Sequence, residues 1–358
     1  MSGESVKHNN NINTLRFLGA LFVLWGHTFA LCYGPGGGKG FITELIRPFT
    51  GYRAGLPGVG IGLFFVLSGY LVCKSYLNRE KLLVYLEARI LRIYPALWVN
   101  LLLVALLLGP IVTTLDLQAY FSHAQTWEYL RHNMWLYPDI FHRLPGVFDD
   151  NPRPGVNGSL WTLPIEVRMY VFVAVLGVCG VLARRIALNL VALSLVVFYL
   201  AAPEHFFLLE KLRHERFALY FLLGALFYIN RQSIPLNLTG LIVLTLALVS
   251  LYLPDSRPAF FNPFYALWFA YLTLYIALHP RLKLPDLGRH GDFSYGLYLY
   301  AYPVTQIFIL VLGPENPWLI LPLVFVSTLL LAAASWFAIE KPALALKGRL
   351  MQRSARVA

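Results

Sequence analysis

The sequence predicts an all-α integral membrane protein, a bundle of about ten transmembrane helices. Of its 358 residues 58% are hydrophobic and only 13% are charged, and the mean hydropathy is +0.61. Apolar runs long enough to cross a bilayer recur from the first dozen residues almost to the end. This composition excludes an ordinary soluble protein, and we expect a single transmembrane domain over residues 1–358.

Ten segments have the apolar length of a membrane-spanning helix. They are residues 12–33, 57–76, 91–112, 159–183, 186–201, 216–230, 236–253, 262–279, 293–313 and 317–340. The first is interpreted as a retained helix, because no convincing cleavage site follows it. Short tails remain at 1–11 and 341–358, and one long outer loop at 113–158. This loop, which contains the turn-rich stretch Asp149–Gly158, is a candidate lid or acceptor platform, or else a loop packed on the bundle rim.

The distribution of basic residues predicts the orientation. Ten helices place both termini on one side, where the tails and loops hold 17 Lys and Arg residues, against 10 on the other side. By the positive-inside rule both termini are expected to be cytoplasmic, in a multi-pass protein of the inner membrane. The net charge of +11 is dispersed among the helices without a nucleic-acid-binding motif, so membrane lipids are the expected partners and nucleic acid is not.

The cysteines do not form a metal-binding or redox pattern. Cys32, Cys73 and Cys179 lie in or beside apolar runs without metal-ligand spacing. We expect all three to be buried small hydrophobic residues, and we predict no metal site.

Arg16 and His27 are the most informative polar residues, since both lie inside the first apolar segment. Eleven residues make about three helical turns, so the two side chains share a face about 16 Å apart along the axis. A neutral imidazole at that depth can accept a proton. The alternative is a hydrogen-bonded structural histidine.

Two further arginines precede the motif IYP in the third segment. Arg89 and Arg92 are three residues apart and therefore share a helical face. With Arg16 they could hold the phosphates of a cosubstrate by bidentate hydrogen bonds; a positive-inside anchor is the alternative. In the second segment, small residues including Ser68 and Gly69 predict either tight helix packing or a narrow channel for a slender ligand, with Ser68 in the donor region.

The fourth segment carries charges just inside the membrane. Glu166 and Arg168 lie in the run SLWTLPIEVRMY. Because a lipid-facing charge is costly, Glu166 should face inward. It could form an ion pair with Arg168 or another helix, or act as a carboxylate that orients His27 or assists proton transfer. Trp161, Arg168 and Tyr170 are expected to support this site. Glu315 and Glu340 are interpreted as boundary charges, and Glu340 with Lys341 and Pro342 as a helix stop.

These motifs together resemble the membrane acyltransferase 3 family over residues 11–345. The resemblance rests on the Arg16 to His27 spacing, FFVLSGYL at Phe64–Leu71, the Arg89 and Arg92 pair before IYP, SLWTLPIEVRMY at Ser159–Tyr170, FSYGLYLYAYPV at Phe293–Val304, and EKP at Glu340–Pro342. Ala301 and Tyr302 stand where many members have a histidine, so no second-histidine role carries over. Where many members read VEEQFY, this chain has IEVRMY at Ile165–Tyr170, so only the first carboxylate carries over.

The resemblance implies an enzyme that transfers an acetyl or short acyl group from acyl-CoA to a hydroxyl, with His27 essential and Arg16, Arg89 and Arg92 in the donor region. No permanently bound cofactor is expected, and acetyl-CoA is the expected cosubstrate. Direct attack with His27 as general base, aided by Glu166, is the predicted mechanism. The expected acceptor is a bacterial glycan, a lipid-linked saccharide or a small hydroxylated molecule. A transporter or flippase for a lipid-linked sugar is the alternative, and a scaffold or receptor is a third class.

Overall fold

The computed structural model describes residues 10–34, 55–78, 82–136, 139–201, 215–252 and 261–347. Twelve helices occur in these residues, and no strand occurs there. They are α1 (Ile12–Tyr33), α2 (Leu56–Leu77), α3 (Leu82–Val112), α4 (Leu117–Ser122), α5 (Ala124–Trp135), α6 (Gly158–Val178), α7 (Arg185–Ala201), α8 (Glu215–Ile229), α9 (Leu238–Tyr252), α10 (Phe261–Leu278), α11 (Ser294–Leu312) and α12 (Pro317–Ala345).

The prediction of an all-α membrane protein is confirmed. Seven of the described helices are long and apolar enough to cross a membrane, namely α1, α2, α3, α6, α10, α11 and α12, and α7, α8 and α9 are shorter apolar helices. These ten correspond one to one to the ten predicted segments. Most of the predicted tails, at 1–9 and 348–358, lie outside the described residues, as do parts of the predicted loops near 45, 208 and 257.

Three helix boundaries differ from the predictions by five residues or more. Helix α3 begins at Leu82 rather than near residue 91, because its first turns carry charged residues that lower the hydropathy without opposing a helix. Helix α6 ends at Val178, five residues early. Cys179 caps this end and is exposed, so its predicted burial is wrong, whereas Cys32 and Cys73 are buried as predicted.

The predicted helix stop at Glu340–Pro342 is also wrong, because α12 continues to Ala345. The segment Trp336–Glu340 is a π-helical turn, in which the Lys341 amide donates to the Trp336 carbonyl. Pro342 has no amide hydrogen and its ring crowds the preceding turn, and the wider π turn lets the helix continue through it.

The described residues group into two compact units. The first comprises parts of 1–19, 61–74 and 180–292, and the second parts of 20–60, 75–179 and 293–358. Helices α1 and α2 each contribute residues to both units. That residues 1–358 act as one transmembrane domain stays a prediction.

In the first unit, the beginning of α1 is tied to the end of α10. The Asn11 amide donates to the Ile276 and Leu282 carbonyls at 2.7 and 2.6 Å, and the Thr14 hydroxyl donates to the Pro285 carbonyl at 2.8 Å. These bonds fix the first turn of α1 and therefore the position of Arg16.

Helices α2 and α8 pack backbone to backbone in the same unit. A side chain at Gly69 would meet the Phe221 carbonyl, and one at Gly224 would meet the Val66 carbonyl. The two backbones can approach this closely because glycine has no side chain at either contact. Of the two predictions for the small residues of α2, the structure therefore supports helix packing at Gly69.

In the second unit, α11 is buried along most of its length. Its Gly296 lies against the backbone of Ala332 in α12, and its tyrosines reach α3 and α6. The Tyr295 hydroxyl donates to the Ile93 carbonyl at 2.9 Å, and the Tyr298 hydroxyl to the Ser159 carbonyl at 2.6 Å. Helix α11 is thus the central helix on which the candidate site is built.

Candidate active site

Three tyrosines form one stripe along α11. Tyr295, Tyr298 and Tyr302 are spaced i, i+3 and i+7, which places them on the same helical face, and each is at most 9% exposed. At 1.5 Å per residue the stripe extends over about 10 Å. We call these three residues the tyrosine stripe.

His27 lies at one end of the stripe. Its imidazole meets the Tyr302 ring edge-on, with the ring centroids 5.4 Å apart. His27 as a whole residue is half-buried. It lies on α1, the same helix that carries Arg16, as predicted.

Arg92 lies at the opposite end of the stripe. Its guanidinium stands over the Tyr295 ring, 5.6 Å from the centroid, and forms an ion pair with Glu340 at 3.5 Å. Glu340 is 2% exposed and also accepts a hydrogen bond from the Ser335 hydroxyl at 3.1 Å. Its interpretation as a boundary charge is therefore wrong, because the π turn of α12 directs it inward onto Arg92.

Arg89 lies between two aromatic rings. Its guanidinium carbon is 5.9 Å from the centroid of Tyr85 and 5.5 Å from that of Tyr170. The Nε of Arg89 is buried and has no hydrogen-bond partner among the described residues. A buried donor without a partner is costly, so this nitrogen is suited to receive an anion.

Glu166 is placed beside this arginine rather than at the His27 end of the stripe. It accepts a hydrogen bond from Tyr170, whose ring lies against Arg89 and whose carbonyl accepts from the Tyr85 hydroxyl at 3.0 Å. Glu166 also lies within electrostatic reach of Tyr298. The predicted direct assistance of Glu166 to His27 stays a prediction.

The other predicted site residues are distributed as follows. Arg16 forms an ion pair with Asp292 at 2.7 Å in the first unit, where Ser68 also lies half-buried on α2. In the second unit, Trp161 lies in the 3₁₀ turn that opens α6, and Arg168 is half-buried in the same helix.

Sequence reasoning missed two residues near His27. Arg153 lies within electrostatic reach of the imidazole, and Gln306 on α11 donates to the Arg153 carbonyl at 2.7 Å. The turn-rich stretch Asp149–Gly158 was the only signal of this contact in the sequence, since the partners are 153 residues apart. The i, i+3, i+7 spacing of the tyrosines would have revealed the stripe.

The protein is thus a membrane-embedded helical protein in which His27 and Arg92 contact opposite ends of one buried helix. The family model described as an acyltransferase domain matches residues 9–337, and the chain belongs to this family. It is therefore a membrane acyltransferase.

Two relatives are similar over nearly the full length. An O-acetyl transferase of Shigella phage Sf6 is 27% identical over 340 residues, which cover 93% of this chain and 95% of the relative. Nodulation protein 10 of Rhizobium leguminosarum bv. viciae is 27% identical over 381 residues, which cover 99% and 98% of the two chains. No solved structure gives a significant match.

Proposed function

We propose that this protein is an O-acyltransferase that moves an acetyl or short acyl group from acyl-CoA to a saccharide hydroxyl. The observation that carries the proposal is the half-buried His27 on a membrane helix at one end of the tyrosine stripe, with Arg92 at the other end. The family membership and the name of the phage relative support acyl transfer to oxygen.

His27 acts as general base in the proposed reaction. The acceptor hydroxyl gives its proton to the imidazole while its oxygen attacks the thioester carbonyl carbon. The tetrahedral intermediate collapses with cleavage of the carbon–sulfur bond, and the CoA thiolate leaves and takes the proton from the imidazolium. The membrane-embedded site limits hydrolysis of the thioester by water.

The arginines bind the donor. Arg89, whose buried Nε has no hydrogen-bond partner among the described residues, and Arg92 face the phosphates of acyl-CoA. Glu166 acts as a positioning residue here, because its hydrogen bond holds Tyr170 against the Arg89 guanidinium. An extended pantetheine arm then brings the thioester to His27.

The orientation of the protein in the membrane is inferred from the distribution of its basic residues. We infer an inner-membrane protein with cytoplasmic termini, so that acyl-CoA enters from the cytoplasm. In a variant without native cysteines, a thiol reagent that does not cross membranes should label a cysteine at exposed position 149 in intact spheroplasts. A cysteine at exposed position 347 should be labelled only after permeabilisation. The reverse pattern would contradict this orientation.

A comparison of two donors tests the donor assignment. Acetyl-CoA and S-acetylpantetheine share the thioester, but only acetyl-CoA carries the nucleotide phosphates. In wild type, the KM for acetyl-CoA should be at least about tenfold lower than the KM for S-acetylpantetheine. Arg89→Ala should reduce this preference, whereas Arg131→Ala, an exposed control, should retain it. Equal KM values in wild type would refute phosphate recognition.

Transport of a labelled sugar by proteoliposomes without covalent acetylation would favour the transporter alternative.

A further inference from the structure

The segment Asn151–Asn157 is clamped onto α11 by one buried side chain. Gln306 has no exposed surface, and its Nε2 donates to the carbonyls of Arg153 and Gly155 at 2.7 and 2.6 Å. The carbonyl and the side-chain oxygen of Gln306 accept from the Asn151 amide at 3.1 and 3.0 Å. Four hydrogen bonds therefore hold this segment against the helix, two through its backbone carbonyls and two through the Asn151 side chain.

The clamp holds the segment over Tyr302, one helical turn before Gln306. A Cβ at Gly155 would lie 3.5 Å from the Tyr302 hydroxyl, and a Cβ at Gly158 would lie 2.6 Å from the edge of the ring. The glycines thus let the backbone rest directly on the tyrosine whose ring meets His27. This part of the long loop therefore packs against the tyrosine that contacts the proposed catalytic base.

The clamp also fixes Arg153, whose positive charge has no acidic partner in the part of the chain that the structure describes. One Nη2 hydrogen bond at 3.1 Å reaches the Gly34 carbonyl, and Nε is buried without a partner among the described residues. No carboxylate of the described part of the chain pairs with this guanidinium. Arg153 lies within electrostatic reach of His27 and Tyr302, and the exposed Arg143 adds a second positive charge near Tyr302.

A guanidinium has five N–H donors in a rigid fork, so an anion can fill the donors that Gly34 leaves open. A neutral sugar would accept these hydrogen bonds but would not neutralise the positive charge of the guanidinium. We propose that Arg153 recognises an anionic group, a carboxylate or a phosphate, on the saccharide acceptor and thereby positions the neighbouring hydroxyl at His27. This inference rests on the proposed function and assigns the acceptor to the acidic saccharides.

Three small acceptors test this inference on the purified full-length protein with labelled acetyl-CoA. They are methyl glucuronoside, glucose 1-phosphate and the neutral methyl glucoside. Wild type should give a kcat/KM at least about tenfold higher for one or both anionic acceptors than for the glucoside. The higher of the two anionic values identifies carboxylate or phosphate as the recognised group.

The variants separate recognition from folding. Arg153→Gln should bring the anionic-to-neutral ratio close to one, and Arg153→Lys should keep part of it, because the Gln306 bonds to the Arg153 backbone carbonyl persist in both. Arg131→Gln, on exposed α5 surface of the same loop, should keep the full ratio. A ratio of one in wild type, or a full preference in Arg153→Gln, would overturn the inference.

The same assay separates failure of the inference from failure of the proposed function. Labelling of glycans in native membranes without labelling of any of the three acceptors would overturn the acidic-acceptor assignment and leave the acyl transfer intact. No label in any acceptor or glycan would count against the acyl transfer itself, and with it the inference.

Discussion

The Tyr302 ring meets the His27 imidazole edge-on at a centroid distance of 5.4 Å. Such an edge-to-face pair contributes about 0.5–1.5 kcal/mol and fixes the orientation of both rings. In the proposed mechanism, this contact aims the imidazole at the acceptor hydroxyl.

Loss of the Tyr302 ring should therefore lower kcat more than KM for the donor. Tyr302→Leu removes the ring and should reduce kcat about a hundredfold, since a small misplacement of a catalytic group has effects of this size. Tyr302→Phe keeps the ring and should lose less than about tenfold. Steady-state kinetics with labelled acetyl-CoA measures both. Equal losses in the two variants would show that the hydroxyl, rather than the ring contact, is what matters.

The ion pair between Arg92 and Glu340 should be visible as energetic coupling. Each single change, Arg92→Met or Glu340→Leu, leaves one charge buried and should destabilise the protein by about 3–5 kcal/mol. The double variant should recover much of this loss, because neither charge remains. Thermal unfolding in detergent measures the cycle, with Lys341→Ala as the exposed neighbouring control. Strictly additive losses would contradict a direct pair.

The Gln306 clamp should control the exchange of the segment that it holds. Gln306→Met keeps the volume but removes the side-chain hydrogen bonds, and deuterium uptake in peptides over 148–158 should become at least about tenfold faster. Thr305→Val, which removes a bond to Ala301 within α11 only, is the matched control. Unchanged uptake in the Gln306 variant would mean that other contacts hold the segment.

The fold was largely predictable because hydrophobic length is a local property. Helix α1 spans the predicted 12–33, and all ten apolar segments are helical. Helices α4 and α5 were missed within the predicted loop 113–158, since short, more polar helices give no hydropathy signal. The continuation of α12 through Pro342 depends on a π turn, and no residue pattern in the sequence predicted that turn.

The site was predictable only in part, because its partners are distant in sequence. The motifs identified Arg89, Arg92 and His27 as residues of interest. The pairing of Arg92 with Glu340 joins residues 248 positions apart, and that of Arg16 with Asp292 joins residues 276 apart. Such contacts are set by tertiary packing, which periodicity does not encode.

Whether His27 is the base for acyl transfer is tested by the transfer of labelled acetyl from acetyl-CoA by His27→Asn. Asparagine is similar in size but cannot accept the proton. We expect a loss of about a hundredfold or more in kcat, with donor binding retained. His123→Asn, which keeps the helix cap of α5, should transfer at the wild-type rate. Normal transfer by a correctly folded His27→Asn protein would show that His27 is not the base.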